Sequence, residues 1–501
     1  MAPRPKAAVI GAGMSGLVSA VLLAMHGWEV HVFEQHHKPG GLLHRFFRGG
    51  VPYETGFHYC GSIQREHILG RCLAHLGVLD RIDWVAMDPD GFDRVILPHM
   101  EFRVPVGVEA YRERLKSTFP AEAAGIDGYM ADLLEAIRHY GLYRFEDSID
   151  TEQFIRWEGV SLDEVIARHV RDPSLRAILA AQSSLYGVHT HEAPFGLHAV
   201  IMHHFLSGAY RARGGGDALT GALVDRLREL GGELHLRAEV TQILVDDKRR
   251  VQGVELASGQ RVDASLVFSS LHPRMLFDLI PDDGLVRKAY RSRIMGQRLG
   301  LAHFGVYAQL DREPHEIGQA NIYRMSTNDP SCILRDIRPG HVPFYFAAAP
   351  PPSPDRDGRP AHTLLLSAAL SWGQIAPWAD TSPGRRPAEY KQLKTELEAT
   401  VLEAFMQDFP SLRGHVVRSE ASTALSTQRY TRSPCGAMYG HYHSIDQMGR
   451  YRLPQIIRIH NFVQVGQGVF TPGILGTTLS AYYGCGYHLG LARLVQELEA
   501  T

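Results

Sequence analysis

The sequence predicts an α/β fold in which a Rossmann-type nucleotide-binding domain is interleaved with a second domain of α+β structure. The N-terminus has a buried strand, a glycine-rich turn and a helix over residues 7–26, and another glycine-rich loop occurs at residues 466–476. A chain of 501 residues exceeds what one hydrophobic core usually covers. We therefore predict a discontinuous nucleotide-binding domain over 1–85, 205–275 and 455–501. The predicted substrate-binding domain takes 86–204 and 276–454.

The N-terminal glycines form the pattern Gly11-x-Gly13-x-x-Gly16 directly after the apolar strand at residues 7–10. In such a turn the first glycine makes the tight bend and the second lets the backbone approach a pyrophosphate, while the third lets the helix pack closely on the strand. The helix, predicted over residues 17–26, opens with free amides and a partial positive charge. We assign the following residues to cofactor binding: Gly11, Gly13, Met14, Ser15 and Gly16.

The second predicted strand, residues 29–33, leads into an acidic residue, Glu34. An acid placed roughly twenty residues beyond the glycines can accept hydrogen bonds from a ribose diol. An ordinary glycine-containing turn would not explain Glu34. We therefore assign Glu34 and the adjoining Gln35 to the same site.

A second bend of small residues follows at 38–41, where further backbone amides can reach phosphate groups. Arg45 lies just beyond it, on the first strand of a predicted hairpin that turns at residues 48–50 and returns through 51–54. We assign Gly40, Gly41 and Arg45 to cofactor binding. No second GxGxxG unit follows the first, so a resident nicotinamide site is not evident.

Three segments early in the chain stand in this order: Pro-Gly-Gly at 39–41, Tyr-Glu-Thr-Gly-Phe-His-Tyr at 53–59, and Asp-Trp-Val-Ala-Met-Asp-Pro-Asp-Gly-Phe-Asp at 83–93. Together they resemble the phytoene desaturase family of flavoproteins, in particular its retinol saturase and carotenoid isomerase branch. Retinol saturases have a similar DTG-hydrophobic-HY segment, and Glu54 stands here where their aspartate usually lies. The resemblance implies a GR2-type, amine-oxidase-like flavoprotein fold with FAD as its cofactor.

The resemblance also implies that two later segments complete the FAD site. A strand at 238–240 is expected to return beside the adenine, so that Val240 contacts it through backbone atoms. The stretch 463–476 is expected to form a strand and a loop before a helix that starts at about Thr477 and directs its amides at the flavin pyrimidine. In this loop Gly468 stands in place of the family's aspartate. We assign the following residues to FAD binding: Gly466, Gln467, Gly473, Gly476 and Thr477.

Members of this family oxidise, reduce or isomerise carbon–carbon double bonds of long conjugated lipids. The flavin exchanges hydride at N5, while protein acids and bases handle the accompanying proton. Four residues beside the cofactor segments are catalytic candidates, although each can also be an ordinary packed core residue. These candidates are His58, Tyr59, Tyr439 and His441. The apolar, Met-containing stretch at 194–210 is a candidate lining for a substrate tunnel.

The resemblance therefore implies an FAD-dependent oxidoreductase acting on a long apolar polyene, either carotenoid- or retinoid-like or the polyene arm of a polyketide-type natural product. The reaction stays open between reduction, desaturation, isomerisation and reductive ring closure, with NADPH as a candidate transient reductant. A flavin amine oxidase of the same fold is one alternative. Another is a non-catalytic lipid-escort protein of the GDP-dissociation-inhibitor type, against which the intact glycines and Glu34 argue.

The composition limits the class of partner and the location. The 52 Lys and Arg residues balance 54 Asp and Glu and form no basic stripe, which disfavours nucleic acid as a partner. Five widely spaced cysteines without a CxxC pattern indicate free thiols in a reducing cytoplasm. The apolar run at 7–25 contains the regularly spaced glycines and is predicted to be strand, turn and helix instead of a membrane span. Peripheral membrane contact and the oligomeric state stay open.

The 27 histidines raise the question of a metal centre. Pairs occur at 189/191, 203/204 and 441/443, but no motif such as HExxH accompanies them. We therefore predict no metal.

Overall fold

The computed structural model describes residues 4–144, 146, 151–280 and 284–501. Within these residues the strands are β1 (Lys6–Ile10), β2 (Glu29–Glu34), β3 (Arg45–Arg48), β4 (Val51–Glu54), β5 (Cys60–Gly61), β6 (Trp84–Ala86), β7 (Asp93–Leu97), β8 (Met100–Val104), β9 (Ala209–Ala212), β10 (Glu233–Leu236), β11 (Val240–Val245), β12 (Val251–Leu256), β13 (Arg261–Asp263), β14 (Leu266–Ser269), β15 (His303–Leu310), β16 (Asn321–Met325), β17 (Phe344–Ala348), β18 (Ser353–Pro354), β19 (Pro360–Ala369), β20 (Val416–Ser422) and β21 (Phe462–Gln464).

The α-helices of the described residues lie between these strands, with six of them in succession between β8 and β9. They are α1 (Met14–Met25), α2 (Ile68–His75), α3 (Val108–Thr118), α4 (Ala123–Ile137), α5 (Thr151–Glu158), α6 (Leu162–His169), α7 (Pro173–Ala180), α8 (Phe195–Leu206), α9 (Gly215–Glu229), α10 (Leu276–Leu279), α11 (Lys288–Gly296), α12 (Trp372–Ile375), α13 (Ala388–Asp408), α14 (Ala424–Thr431), α15 (Gly473–Leu489) and α16 (Leu491–Glu499).

A five-stranded parallel sheet in the order β10-β2-β1-β14-β21 carries the N-terminal glycine turn. Its middle strand β1 reads KAAVI, and every residue except Lys6 is buried, as expected for a strand covered on both faces. β1 pairs in parallel with β2 and β14, and its carboxyl end leads into Gly11. Ligands of such sheets bind at this end of the strands. The predicted α/β, Rossmann-type fold is confirmed.

Three element boundaries differ from the sequence prediction. Helix α1 begins at Met14 instead of residue 17, because Gly16 lies inside its first turn, where a Cβ would be 2.1 Å from Gly11 O. Helix α15 begins at Gly473, directly after Pro472, and not at Thr477. The strand expected at 238–240 is β11, which begins at Val240; Arg237, with a positive φ of 54°, separates it from β10 in another sheet.

The second large sheet is mainly antiparallel and has the order β20-β15-β19-β17-β16-β7-β8, with β18 paired to β19. Helix α13 packs against this sheet, and its Leu397, Val401 and Phe405 are buried in a cluster with residues of β15 and β19. The helix α8 packs against α4 and α5 in a separate helical layer. The strands of this sheet come from residues 93–104, 303–369 and 416–422. The exact domain boundaries stay a prediction.

Across the described part of the chain, no helix combines the length and apolarity that crossing a bilayer requires. The apolar run at 7–25 is divided between β1 and α1, as the glycine spacing predicts. All five cysteines are free thiols, and all except Cys435 are buried.

A buried polar network joins β9, the middle strand of a small sheet with β5 and β6, to the antiparallel sheet through Arg211. Its guanidinium donates to Ala349 O at 2.6 Å, and to Ala320 O and Asn321 Oδ1 at 2.9 Å each. Asn321 Nδ2 in turn donates to Asp93 Oδ1 at 2.9 Å. Because Arg211 is 1% exposed, water cannot replace these bonds without a rearrangement of the interior.

We expect Arg211→Met to destabilise the protein by about 3 kcal/mol or more, because it leaves buried acceptors and Asp93 without their cationic partner. Arg213→Met is the matched control, since the Arg213 side chain is 52% exposed and pairs with exposed Asp83 at 2.7 Å. The control should cost less than about 1 kcal/mol. Urea unfolding of both variants measures the difference, and equal losses would contradict the structural role of the network.

Candidate active site

One cavity of about 840 Å³ lies between the carboxyl ends of strands β1 and β2 and helix α8. Most residues predicted for the cofactor and catalytic sites line it, so the fold brings segments from both ends of the chain together. These lining residues are Gly11, Gly13, Met14, Ser15, Glu34, Gln35, Gly40, Gly41, His58, Tyr59, Val240, Tyr439, Gly466, Gln467, Gly473, Gly476 and Thr477. Three predicted residues are not in the lining: Gly16, Arg45 and His441.

The first wall of the cavity is the N-terminus of α1. Gly13 occupies the N-cap position, and no side chain caps the helix, so its first amides are available to an anionic ligand. Gly11 has φ +92°, and a Cβ there would lie 2.4 Å from Ser270 Oγ. A Cβ on Gly13 would meet no atom within 4 Å. A Cβ on Gly16 would lie 2.1 Å from Gly11 O, so this glycine lets α1 pack closely on the turn that follows β1.

The second bend lies directly against the first. Gly40 N donates to Ala12 O at 2.8 Å, and a Cβ on Gly41 would be 3.4 Å from Gly13 Cα. Both glycines have positive φ, +122° for Gly40 and +56° for Gly41. Backbone amides of the two turns therefore line the same part of the cavity.

Glu34 holds the end of β2 against the glycine turn. Its Oε2 accepts from Ala12 N and its Oε1 accepts from His36 N, both at 2.9 Å. The carboxylate still lines the cavity, where further lone pairs are available to a diol.

Sequence reasoning missed Arg432, which lies on the same side of the cavity. Arg432 Nε donates to Gln35 Oε1 at 3.0 Å, and its Nη2 donates to Glu239 Oε1 at 2.8 Å. The arginine thus connects the end of β2 to the segment before Val240. Its position follows from tertiary structure, and no motif around residue 432 indicates it.

The second helix N-terminus at the cavity belongs to α15. Pro472 is its N-cap residue, and again no side chain caps the helix. Gly473 has φ +80°, and a Cβ on Gly476 would lie 2.3 Å from Thr471 O. Thr477 Oγ1 donates to Gly473 O at 2.8 Å, which ties the first turn together. Two uncapped helix N-termini therefore face one cavity.

The loop before α15 is held by hydrogen bonds to its surroundings. Gly466 N donates to Ser480 Oγ, and Gln467 Nε2 donates to Met438 O, both at 2.8 Å. A Cβ on Gly468 would lie 2.4 Å from Pro273 Cδ. The glycine at 468, where the family has an aspartate, is thus explained by the close approach of Pro273.

Arg45 does not line the cavity, and its assignment to cofactor binding stays a prediction. Arg45 Nε lies 3.3 Å from Asp217 Oδ2, and its Nη1 donates to Ser353 Oγ at 2.9 Å. Glu54, on the paired strand, accepts from Gly216 N at 3.2 Å. Burial raises the pKa of Glu54 to about 7. These contacts hold the hairpin β3–β4 against the start of α9.

The remaining cavity is largely apolar. One face of α8 lines it through residues at helical spacing: Leu197, Val200, Ile201, His204 and Phe205. Aromatic and apolar residues from other segments complete this part: Tyr143, Phe154, Leu185, Met448, Phe470 and Tyr483. The predicted tunnel-lining stretch therefore does reach the cavity, with its opposite face in the core.

A small polar group interrupts the apolar lining at Tyr140, Glu158 and Arg452. Tyr140 OH donates to Glu158 Oε1, while Glu158 Oε2 has no partner among the described residues. Burial raises the pKa of Glu158 to about 7, and the nearby charge of Arg452 opposes this rise. The Arg452 guanidinium lies 4.6 Å from the centre of the Phe470 ring. A ligand in this part of the cavity would therefore find these three hydrogen-bonding groups within an otherwise apolar lining.

His58 and Tyr59 lie side by side in the lining but differ in their bonding. Burial lowers the pKa of His58 to about 3, so the ring is neutral, and its buried Nδ1 has no partner among the described residues. Tyr59 OH donates to Asp93 Oδ2 at 3.1 Å and lies 2.7 Å from Tyr323 OH. The Tyr59 hydroxyl is therefore engaged in the buried network.

Tyr439 and His441 are also separated by the fold. Tyr439 lines the cavity, donates to Ser184 O at 3.2 Å, and has its pKa raised by burial to about 12. His441 is not among the lining residues, and its ring centre lies 4.8 Å from that of His272. His272 lines the cavity and was not foreseen from the sequence. His441 itself is absent from the lining, and its assignment as a catalytic residue stays a prediction.

The donor set fits a dinucleotide flavin. Two uncapped helix N-termini and two glycine bends suit an anionic diphosphate and the electron-rich end of a reduced flavin, and Glu34 suits a ribose. The carbon-lined part beyond suits an apolar molecule.

Comparison with known proteins agrees with this geometry. A family model described as flavin containing amine oxidoreductase matches residues 14–303. The chain belongs to this family. It is similar to all-trans-retinol 13,14-reductase of Rattus norvegicus, with 28% identity over 99% of this chain and 87% of that protein. It is also similar to the 4,4'-diapophytoene desaturase (4,4'-diaponeurosporene-forming) of Staphylococcus aureus (strain COL), with 22% identity over 90% of this chain and 92% of that protein.

Among solved structures, an oxidoreductase from Methanosarcina mazei matches with a TM-score of 0.66 and 19% identity, covering 95% of this chain and 99% of that one. This likeness supports the fold. The resemblance to the phytoene desaturase and retinol saturase group is confirmed by the named relatives. The family member described here is a flavin-dependent oxidoreductase of the retinol reductase and carotenoid desaturase type. The escort-protein alternative is therefore not retained.

We expect Gly13→Ala to weaken FAD binding at least about tenfold while the protein stays folded, because the added methyl enters open cavity beside the α1 amides. Gly221→Ala is the matched control, since a Cβ there also meets nothing within 4 Å but lies on helix α9 outside the lining. Flavin absorbance after gel filtration and titration with FAD measure both. Full FAD retention by Gly13→Ala would contradict the assignment of this turn to the diphosphate.

Proposed function

We propose that this flavoprotein reduces a carbon–carbon double bond of a long apolar polyene that carries one polar terminus. The observation that carries the proposal is the continuity of a single cavity. It runs from the nucleotide-type wall at Gly11 and Glu34 to the apolar face of α8 and the polar group at Glu158 and Arg452. A polyene in the apolar part would share this cavity with the flavin.

The relatives support reduction ahead of desaturation. The relative named as a retinol reductase has higher identity and covers more of this chain than the relative named as a diapophytoene desaturase. The group formed by Tyr140, Glu158 and Arg452 supports a substrate with a hydroxyl or carboxyl end, because a pure hydrocarbon would leave buried hydrogen-bonding groups unsatisfied. Carotenoid-like, retinoid-like and polyketide-type polyenes with such an end fit the same description.

Bound FAD supplies hydride donation and acceptance at this site. Saturation of a double bond also needs a proton at the second carbon, and we assign that proton to a group in the cavity wall. Tyr439 is our first candidate, since its pKa of about 12 keeps the hydroxyl protonated at neutral pH and the residue lines the cavity. His58 is neutral and has a free ring nitrogen, so we assign it to holding the substrate. Tyr59 instead positions the wall through its bonds to Asp93 and Tyr323.

A reductase needs a source of electrons, and we propose a visiting NADPH-type donor because the sequence has one GxGxxG unit. An apolar substrate also has to arrive from a lipid phase or a carrier. We therefore keep peripheral contact with a membrane from a cytoplasmic position as part of the proposal.

Anaerobic titration of the yellow protein tests the direction of the reaction. We expect NADPH to bleach the flavin absorbance and a hydroxylated polyene to restore it, with a hydrocarbon polyene of equal length acting at least about tenfold less well. Bleaching by a polyene alone would instead identify a desaturase and overturn the proposed direction. Hydrogen peroxide formed in air from amines, without any response to polyenes, would identify an amine oxidase.

We expect Tyr439→Phe to lower kcat by about 10²-fold with a small change in KM, because it removes the proposed proton donor and keeps the ring. Tyr442→Phe is the matched control, since Tyr442 OH donates to Glu192 Oε2 at 2.8 Å and does not line the cavity. Single-turnover reoxidation of the reduced protein by the polyene measures the step directly. Equal rates for the Tyr439 variant and wild type would assign the proton to another group.

A further inference from the structure

A cluster of two histidines and a glutamate lies at the edge of the parallel sheet, outside the cavity. His31 belongs to β2, and Glu233 and His235 belong to the neighbouring edge strand β10. His31 Nδ1 lies 3.2 Å from His235 Nε2 and 3.7 Å from Glu233 Oε2, and His235 Nε2 lies 3.4 Å from the same oxygen. Three donor atoms of two strands therefore form one compact triangle.

The size of the triangle matches a tetrahedral metal centre. Zinc binds imidazole nitrogen and carboxylate oxygen at about 2.0–2.2 Å in a tetrahedral arrangement. Ligand atoms at such distances lie roughly 3.3–3.6 Å from one another. The three observed separations, 3.2, 3.4 and 3.7 Å, each lie in this range or within about 0.1 Å of it. One ion can thus contact all three atoms without a large movement of the strands.

The neighbours of His31 favour the ring tautomer and orientation in which Nδ1 can bind a metal ion. The other ring nitrogen, Nε2, lies 3.1 Å from Glu29 Oε1, and Lys6 Nζ holds the same carboxylate oxygen at 3.1 Å. A carboxylate that accepts from Nε2 places the ring proton there and leaves a lone pair on Nδ1. The His31 and His235 rings are stacked 5.4 Å apart, and Phe33 stacks on His235 at 5.0 Å. The ligand orientations are therefore set by contacts outside the triangle.

We propose that His31, Glu233 and His235 bind one zinc-type divalent cation, with solvent in the fourth position. The ion would join the edge strand β10 to β2, and through Phe33 it would stiffen the wall of the cavity near Gln35. The role is structural, and it is separate from the flavin chemistry. The histidine pairs considered in the sequence analysis did not suggest this site, because His31 and His235 are 204 positions apart and meet only across paired strands.

Metal binding is measured on tag-free, chelator-treated holoprotein by equilibrium dialysis against Zn²⁺ and by titration with Co²⁺. We expect one equivalent of Zn²⁺ and the intense visible absorption of tetrahedral Co²⁺ at wavelengths beyond the flavin bands. Glu233→Gln should weaken binding at least about tenfold, and its side chain is 62% exposed, so the fold tolerates the change. Glu29→Gln keeps all three ligands and should weaken binding by about 10- to 100-fold.

The control is the double variant His189→Gln/His191→Gln, which removes another stacked histidine pair, with rings 5.6 Å apart. It should keep the equivalent of Zn²⁺, whereas His31→Gln/His235→Gln should lose it. Added Zn²⁺ should raise the Tm of wild type and of the control but not of the His31/His235 variant. Absence of Zn²⁺ binding by wild type, or unchanged binding by the Glu233 and Glu29 variants, would overturn the proposal. The flavin content of each sample reports separately on the proposed function.

Discussion

The packing of α1 against α15 is the constraint on which the active site depends. The two helices lie against each other, with Cys485 Sγ donating to Ser19 O at 3.9 Å in their contact. Both begin at the cavity without a side-chain cap. The positive ends of two helix dipoles thus lie near each other, which is unfavourable until an anion lies between them. The fold therefore makes the cavity complementary to negative charge before any side chain is considered.

The buried network around Arg211 serves the other half of the site. It connects β9 to residues of the antiparallel sheet, and Asp93 extends it to the Tyr59 hydroxyl. Because every link is buried, the ring of Tyr59 is held at one place in the cavity wall, stacked 4.1 Å from the Phe205 ring. Because Phe205 belongs to α8, this contact fixes the position of the apolar face of α8 relative to Tyr59. A rigid cavity wall is important when a substrate has few polar groups that could orient it by hydrogen bonds.

The cofactor half of the site was predictable from sequence because its chemistry is local. Gly11, Gly13 and Glu34 form one strand-turn-helix-strand unit, and the backbone conformation of glycine carries most of the information. The family resemblance then added the distant segments at Val240 and Gly466. Boundaries were less accurate, since glycines such as Gly16 and Gly473 lie inside helices that a propensity argument starts later.

The catalytic half was harder to predict because it depends on which side of a loop faces the cavity. Tyr439 and His441 are two positions apart, yet Tyr439 lines the cavity and His441 does not. Arg45 follows the second glycine bend closely in sequence, but its guanidinium contacts Asp217 and Ser353, and the residue does not line the cavity. Arg432 and His272 lie in no recognisable sequence motif, and only the tertiary structure places them at the cavity. Residue type and sequence neighbourhood do not contain this information.

Three buried carboxyl groups make the stability of the folded protein depend on pH. Burial raises the pKa values of Glu54, Asp93 and Glu158 to about 7 each, well above the values such groups have in an unfolded chain. The native state therefore binds more protons than the unfolded state between roughly pH 4 and 7, and the contribution of these groups to stability declines as the pH rises through that window. Folding this chain near neutrality takes up hydrogen ions from solution, and mild acidity favours its compact form as far as these three side chains are concerned.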